Sequence, residues 1–162
     1  MIIHIKNKNT LIIDEFKFRC CVGKNGLNSN KREGDCSTPK GLFNLKKLYF
    51  RKDRVGIPRC KIQKKIIKKN MAWCDDPNDK NYNKEIVTFN KENKENFYRV
   101  DHKYDYLITI NHNDKKIPNK GSAIFIHLTD NYKPTSGCVA LEKKDFEIMI
   151  NLINRVSKIK IG

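Results

Sequence analysis

Residues 121–139 constrain the fold of this chain more than any other segment, because they read as one buried strand followed by one tight turn. Residues 121–128 form an apolar run of strand length that ends in His127 and Leu128. Residues 134–139 then read Pro-Thr-Ser-Gly-Cys-Val, where a hydroxyl residue and a glycine favour a turn just before Cys138. A thiol at such a bend is exposed to reactants instead of lying within a core run, which is typical of a reactive sulfur.

The pairing of His127 with Cys138 predicts a cysteine nucleophile and its general base. Acyl transfer requires a thiolate made by a neighbouring base, and N–H donors where the carbonyl oxygen becomes an oxyanion. The backbone N–H groups of Ser136, Gly137 and Cys138 are the predicted oxyanion hole. The alternative is that Cys138 is a small buried hydrophobe and His127 an ordinary core residue.

Two sequence boxes resemble a known family. Thr135-Ser136-Gly137-Cys138-Val139, preceded by His127, and residues 33–43 with their Thr-Pro-Lys-Gly core are similar to the corresponding boxes of the L,D-transpeptidase catalytic domains, also called YkuD-like. The resemblance spans nearly the whole chain. It extends to a compact, proteobacterial-type branch of the family through residues 53–55, 73–77, 82–83, 104–105 and 121–127.

The resemblance implies a reaction on the bacterial cell wall. Cys138 would attack the bond between the L-centre of a diamino acid and a terminal D-alanine in a peptidoglycan stem, releasing D-alanine and leaving a thioester. A second stem's amine would then form a 3→3 cross-link, whereas water would make the enzyme an L,D-carboxypeptidase of muropeptides. The resemblance also implies that the carbonyl of Leu128 orients His127. No cofactor is expected.

This chain departs from the commonest family box at two positions. Ser136 and Ala140 stand where the family has His and, two residues after the Cys, Arg or Asn. The missing cation predicts weak recognition of the donor's carboxylate, which Ala140→Arg should improve. His127 and Cys138 are also only 11 positions apart, so we expect a small lid and an open cleft.

Other residues are candidates for the walls of the cleft. Thr135 is expected to fix the turn by hydrogen bonding and, like Tyr104 and Asp105, is a candidate for substrate binding. Asp75 and Asp76 are further candidates, but for these two, as for Tyr104 and Asp105, a structural role in hydrogen bonding is favoured. His102 and His112 are expected to be surface or supporting residues.

The charge balance keeps a different class of function open. Lys and Arg number 34 against 18 Asp and Glu, a net charge of +16 that would attract polyanions. The densest run, residues 61–69, lacks the interleaved aromatics of a single-strand platform, and there is no helix-turn-helix or finger signature. A solvated basic surface is therefore favoured and no nucleic-acid partner is expected, although a basic binding module with a structural Cys138 remains an alternative.

The six cysteines carry no Cys-x-x-Cys pair and no zinc-ligand spacing with the histidines, so no metal site is expected. Unpatterned thiols favour a reducing compartment, and residues 1–9 lack the pattern of a secretory signal. No apolar stretch is long enough to cross a bilayer. The family implies the cell envelope, so the compartment stays open, as does the oligomeric state.

The whole chain, residues 1–162, is expected to form a single catalytic domain. Its class is predicted as α+β, mostly β, with β-sandwich-like mixed sheets and one main helix after the Cys turn. The helix is indicated by Phe146, Met149, Ile150 and Ile153, which share one helical face within residues 143–156.

Alternating or β-branched runs predict the strands, and polar segments predict the connections. Strands are expected in a hairpin at 2–5 and 10–13, and at 16–22, 42–49, 106–111 and 158–161. Residues 25–36 are expected to form a loop. Residues 73–96 are expected to form an irregular excursion whose polar tip frames the cleft.

Overall fold

The computed structural model describes residues 1–90, 92 and 94–162. Among these residues, strands account for 39% and helices for 9%, which confirms the α+β, mostly β class. The strands are β1 Ile2–Asn7, β2 Thr10–Ile13, β3 Phe16–Arg19, β4 Leu27–Asn28, β5 Thr38–Pro39, β6 Gly41–Phe50, β7 Gln63–Ile66, β8 Met71–Cys74, β9 Lys84–Val87, β10 Lys94–Asn96, β11 Tyr106–Ile110, β12 Phe125–Leu128, β13 Val139–Leu141 and β14 Lys158–Ile161. The helices are α1 Lys52–Val55 and α2 Lys143–Leu152.

The main sheet is mixed and nearly closes into a barrel. Its order is β13-β12-β11-β6-β14-β1-β2-β3, and β7 also pairs with β6. β1 with β14, β6 with β7 and β12 with β13 are parallel pairs, and the others are antiparallel. The two ends approach where Cys21 and Ala140 exchange both backbone hydrogen bonds at 2.9 Å. This closure brings the segment after β3 beside the Cys138 turn.

The predicted hairpin and third strand lie at one end of the main sheet. β1 and β2 pair antiparallel around the turn at residues 8–9, as the sequence indicates. The third strand is shorter than predicted, because regular pairing with β2 ends at Arg19. Cys20, Cys21 and Val22 continue as buried backbone that bonds to the Cys138 turn and to Asn9.

The prediction of an irregular excursion over residues 73–96 is wrong. β8 lies between β10 and β9 in a separate three-stranded antiparallel sheet. The polar composition of β9 and β10 conceals these strands, because their side chains are only half-buried and the ladder is held by backbone pairing. β8 supplies the apolar contact: Trp73 packs against Phe97 and Phe125.

Helix α2 packs its predicted stripe into the core but is shorter than expected. Phe146, Met149 and Ile150 are buried, and Ile153, just beyond the last turn, is fully buried as well. The helix ends at Leu152 because Ile153 adopts extended dihedrals and the Asn154 side chain accepts the Val156 N–H, stabilising a turn instead.

Several further elements were not predicted, namely β4, β5, β7, β13 and α1. β7 lies within the basic run at 61–69 and exposes all four of its side chains, so hydrophobic patterning gives no signal for it. The predicted loop at 25–36 contains β4, which pairs with β5. No helix among the described residues is long and apolar enough to span a bilayer.

Candidate active site

His127 and Cys138 lie on neighbouring parallel elements. His127 is on β12 and faces Ala140 of β13 in register, and Cys138 immediately precedes β13. Both side chains line one cleft of about 480 Å³. The structure therefore brings the predicted nucleophile and base together at the floor of a substrate-sized cavity.

The backbone at the start of β12 holds the sulfur of Cys138. The Phe125 N–H donates to Sγ at 3.4 Å, and the Sγ–H donates to the Ala123 carbonyl at 3.3 Å. Cys138 also belongs to the buried cluster that contains Phe125 and Tyr104. The side chains of Phe125 and His127, two positions apart on β12, share one face of the strand. The Phe125 N–H also stabilises a developing thiolate.

The imidazole of His127 has a fixed tautomer. Its Nδ1 lies 2.8 Å from the carbonyl oxygen of Leu128. Because a carbonyl oxygen only accepts hydrogen bonds, Nδ1 carries the proton and Nε2 keeps its lone pair. The Tyr104 ring meets the imidazole edge-on, with centroids 5.2 Å apart. Leu128 and Tyr104 thus hold the ring in the orientation of a base, as the resemblance implies for Leu128.

Cys138 is only 8% exposed and His127 only 6%, so the expectation of an exposed thiol is wrong, and burial keeps both groups neutral. Desolvation lowers the pKa of His127 to about 4, and the positive charges of Lys103 and Arg99 act in the same direction. Desolvation also raises the pKa of Cys138 to about 12, against the hydrogen bond from Phe125. In the free protein these shifts favour a thiol beside a neutral imidazole over a thiolate–imidazolium pair.

Thr135 organises the turn that carries Cys138. Its hydroxyl donates to the Cys138 carbonyl at 2.7 Å and accepts the Gly137 N–H at 3.1 Å. Of the three predicted oxyanion donors, Gly137 is therefore already engaged. Across the described residues, no hydrogen bond uses the N–H groups of Ser136 or Cys138.

A glycine is required at position 137. Its φ of +148° lies in a region that side chains disfavour, and a Cβ there would lie 2.9 Å from the Ser37 carbonyl oxygen. The Gly137 carbonyl accepts a 2.8 Å hydrogen bond from Thr38, whose hydroxyl in turn accepts the Gly23 N–H at 2.8 Å. Hydrogen bonds of Thr135 on one side and Thr38 on the other thus fix the turn.

The three candidates for substrate binding lie in different surroundings. Thr135 and Tyr104 line the cleft, and the Tyr104 hydroxyl donates to Glu95 at 2.7 Å. Asp105 is not among the lining residues; it accepts a 2.9 Å ion pair from Arg54. Asp75 lines the cleft and Asp76 does not.

Sequence reasoning missed most of the charged wall of the cleft. The charged lining residues are Lys31, Glu33, Asp75, Glu95, Arg99, Lys103, Asp130 and Lys133. They come from segments far apart in sequence, so no local spacing links them. The basic members show that the cleft has cations even though Ala140 replaces the family's Arg.

Ala140, which stands where the family has that Arg, occupies a tightly packed position. It is only 1% exposed, and both its N–H and its carbonyl are bonded to Cys21. Ala140 is nevertheless among the residues that line the cleft, and it faces His127 in the β12–β13 register. The expectation that Ala140→Arg improves donor binding therefore stays a prediction, with the desolvation of a guanidinium at a buried position as its cost.

His102 and His112 contact backbone carbonyl oxygens, and the cysteines are not joined in disulfides. His102 contacts the Thr129 carbonyl at 2.8 Å and His112 the Lys120 carbonyl at 3.0 Å. All six cysteines are free thiols. Within the described residues, no group of three or more His, Cys, Asp or Glu side chains is arranged to hold a metal ion.

Comparison with known proteins identifies the family. The family model of the L,D-transpeptidase catalytic domain, YkuD, matches residues 2–161. The comparisons with curated proteins and with solved structures gave no match. The chain therefore belongs to the L,D-transpeptidase catalytic domain family, whose members act on peptidoglycan peptides.

Proposed function

We propose that this protein is a peptidoglycan L,D-transpeptidase that uses Cys138 as its nucleophile and forms 3→3 cross-links between stem peptides. The observation that carries the proposal is that Cys138 and His127, whose Nδ1 is bonded to the Leu128 carbonyl, line one cleft. An imidazole with a free Nε2 beside a thiol is the arrangement that nucleophilic cysteine catalysis needs.

In the first half-reaction, Nε2 of His127 removes the thiol proton as Sγ attacks the carbonyl carbon of the diamino acid. The neutral starting pair makes this a general-base step, with the proton moving as the carbon–sulfur bond forms. The N–H groups of Cys138 and Ser136 are the donors for the oxyanion, since Gly137 is engaged by Thr135.

Collapse of the tetrahedral intermediate breaks the amide bond to D-alanine. The imidazolium of His127 returns its proton to the leaving nitrogen, so D-alanine departs as a neutral amine and a thioester remains on Cys138. The amine of a second stem then attacks the thioester, loses its proton to His127 and regenerates the thiol. Every proton removed in one step is returned in the next.

L,D-carboxypeptidase activity is the second candidate, because water can resolve the same thioester. The connection of residues 129–137 between β12 and Cys138 is short, and a small lid of this kind would give water access to the thioester. The acyl-enzyme is common to both reactions, so the first half-reaction does not separate them.

Incubation with a disaccharide-tetrapeptide, followed by mass spectrometry of the products, tests both functions. A cross-linked dimer of stems with loss of one D-alanine supports the transpeptidase. Loss of D-alanine without a dimer supports the carboxypeptidase instead. Cys138→Ala is the control for chemical hydrolysis, and an unchanged substrate with the wild-type protein would contradict both functions.

A further inference from the structure

The cleft contains four basic side chains, three of which are already paired with carboxylates. Lys31 bonds to Asp35 and is only 6% exposed. Arg99 forms two hydrogen bonds with Asp101, at 2.9 and 2.7 Å. Lys133 pairs with Asp130 at 3.1 Å. The exception is Lys103.

Lys103 lines the cleft and forms no salt bridge and no side-chain hydrogen bond with any residue that the structure describes, although its charge acts on the Asp101 carboxylate through space. The acid nearest to it in sequence, Asp101, is occupied by Arg99 and by the backbone N–H of Lys103 itself. An ammonium group in a half-buried cleft without a fixed carboxylate is suited to an anionic ligand.

The position of Lys103 is fixed relative to the catalytic base. The Lys103 carbonyl accepts the N–H of Leu128 at 3.0 Å, and Leu128 is the residue whose own carbonyl orients His127. The next residue, Tyr104, packs against the imidazole. The positive charge of Lys103 also contributes to lowering the pKa of His127. Lys103 thus lies on the His127 side of the cleft.

The reaction requires a carboxylate on this side. His127 must reach the nitrogen of the leaving D-alanine in order to protonate it. In D-alanine that nitrogen and the carboxylate are attached to the same carbon. The carboxylate therefore lies within about two covalent bonds of the atom that contacts the base, on the side of the cleft that Lys103 lines.

We propose that Lys103 is a specificity residue that binds the terminal carboxylate of the donor stem, in place of the cation that Ala140 lacks. This inference rests on the proposed function of the cleft. Lys31 is a poorer candidate, because it lies on the opposite side near Gly137 and is neutralised by Asp35. Lys103 is expected to act in donor binding and not in the chemistry of the thiol.

The test compares two donors, a disaccharide-tetrapeptide with a free terminal carboxylate and the same compound as its terminal carboxamide. The rate of Cys138 acylation is measured by mass spectrometry over a range of donor concentrations. Wild type is expected to prefer the carboxylate by about tenfold or more in kcat/KM, since hydrogen bonds to charged groups are stronger than neutral ones.

Lys103→Met should remove this preference through a higher KM for the carboxylate donor, with the carboxamide nearly unaffected. Lys103→Arg, which retains the charge, should restore it. Lys133→Met is the matched control, because it removes another cation from the same cleft and should keep the wild-type ratio. Thermal melts check that a lost preference does not come from a folding defect in the variant. Lys103→Arg is not expected to have such a defect.

The outcomes separate this inference from the proposed function. If both donors acylate wild type and Lys103→Met keeps the carboxylate preference, Lys103 does not bind the carboxylate. The proposed function is unaffected by that result. If Lys133→Met loses the preference equally, the general charge of the cleft is responsible and the inference is overturned. If neither donor acylates wild type, the proposed function fails and the inference with it.

Discussion

Thr38 and Gly137 are 99 positions apart in the chain, yet the Thr38 hydroxyl donates a 2.8 Å hydrogen bond to the Gly137 carbonyl. Each residue belongs to one of the two sequence boxes that resemble the family. The contact joins those boxes physically, so the Thr-Pro-Lys-Gly segment supports the turn that carries the nucleophile. Thr38 is fully buried, and its single hydroxyl provides this support.

Thr38→Val should destabilise the protein and slow catalysis. The variant keeps the shape of the side chain but leaves the Gly137 carbonyl and the Gly23 N–H without partners in a buried site. Such a loss costs about 1–3 kcal/mol, measurable by urea denaturation. Thr10→Val is the control, since the Thr10 hydroxyl bonds only to Asn9 at an exposed position. Equal stability of the two variants would contradict the proposed support of the turn.

His127→Gln should leave the protein folded and lower the acylation rate roughly a hundredfold or more, as expected for the loss of a general base. The glutamine amide can still bond to the Leu128 carbonyl but cannot accept the thiol proton. His102→Gln serves as the matched control. A comparable loss of acylation in His102→Gln would show that His127 is not the base.

The pH dependence of acylation should reflect the lowered pKa of His127. Because burial holds that pKa at about 4 instead of 6.5, the imidazole stays unprotonated down to about pH 4. We therefore expect kcat/KM to be level between about pH 5 and 8 and to fall only as the pH drops through about 4. An acidic limb near pH 6.5, absent in His127→Gln, would contradict the burial argument.

The stability of the fold should follow the same shift in the pKa of His127. Its folded-state value lies below the unfolded value, so the unfolded chain binds the proton first as the pH falls from about 6.5 to 4. Wild type should lose stability relative to His127→Gln across this window, as measured by denaturation at several pH values. A constant difference between the two proteins would contradict the prediction.

Ala140→Arg should lower the stability of the fold, even though Ala140 lines the cleft. The residue is 1% exposed and opposes His127 in the β12–β13 register. A guanidinium introduced there would therefore carry a desolvation cost. Ser136→Arg is the control, because Ser136 is exposed in the same turn. Similar thermal melts for both variants would show that position 140 accommodates a charge.

Local patterns were sufficient to predict the strand and helix that flank the site. The apolar run before His127 and the helical stripe of Phe146, Met149 and Ile150 are signals that depend only on neighbours in sequence. The placement of Cys138 and His127 in one cleft was also accessible from the sequence, since the two lie on consecutive elements, whereas their roles as nucleophile and base stay a prediction. Each of these predictions uses only residues that are close together in the sequence.

The parts that could not be predicted depend on contacts between distant segments. β9 and β10 have polar sequences and are strands because β8 pairs with both. Lys31, Glu95 and Lys103 reach the cleft from three separate segments, so no spacing reveals them. The engagement of the Gly137 N–H by Thr135 requires the actual turn geometry.

The most direct test of the account is whether the donor stem becomes attached to Cys138. Wild type is incubated with a disaccharide-tetrapeptide, stopped in acid and digested, and the modified peptide is sequenced by mass spectrometry. The account predicts a thioester to the stem that has lost D-alanine, located on Cys138, cleaved by hydroxylamine and absent in Cys138→Ala. An adduct on any of the other five cysteines, or turnover by Cys138→Ala, would contradict it.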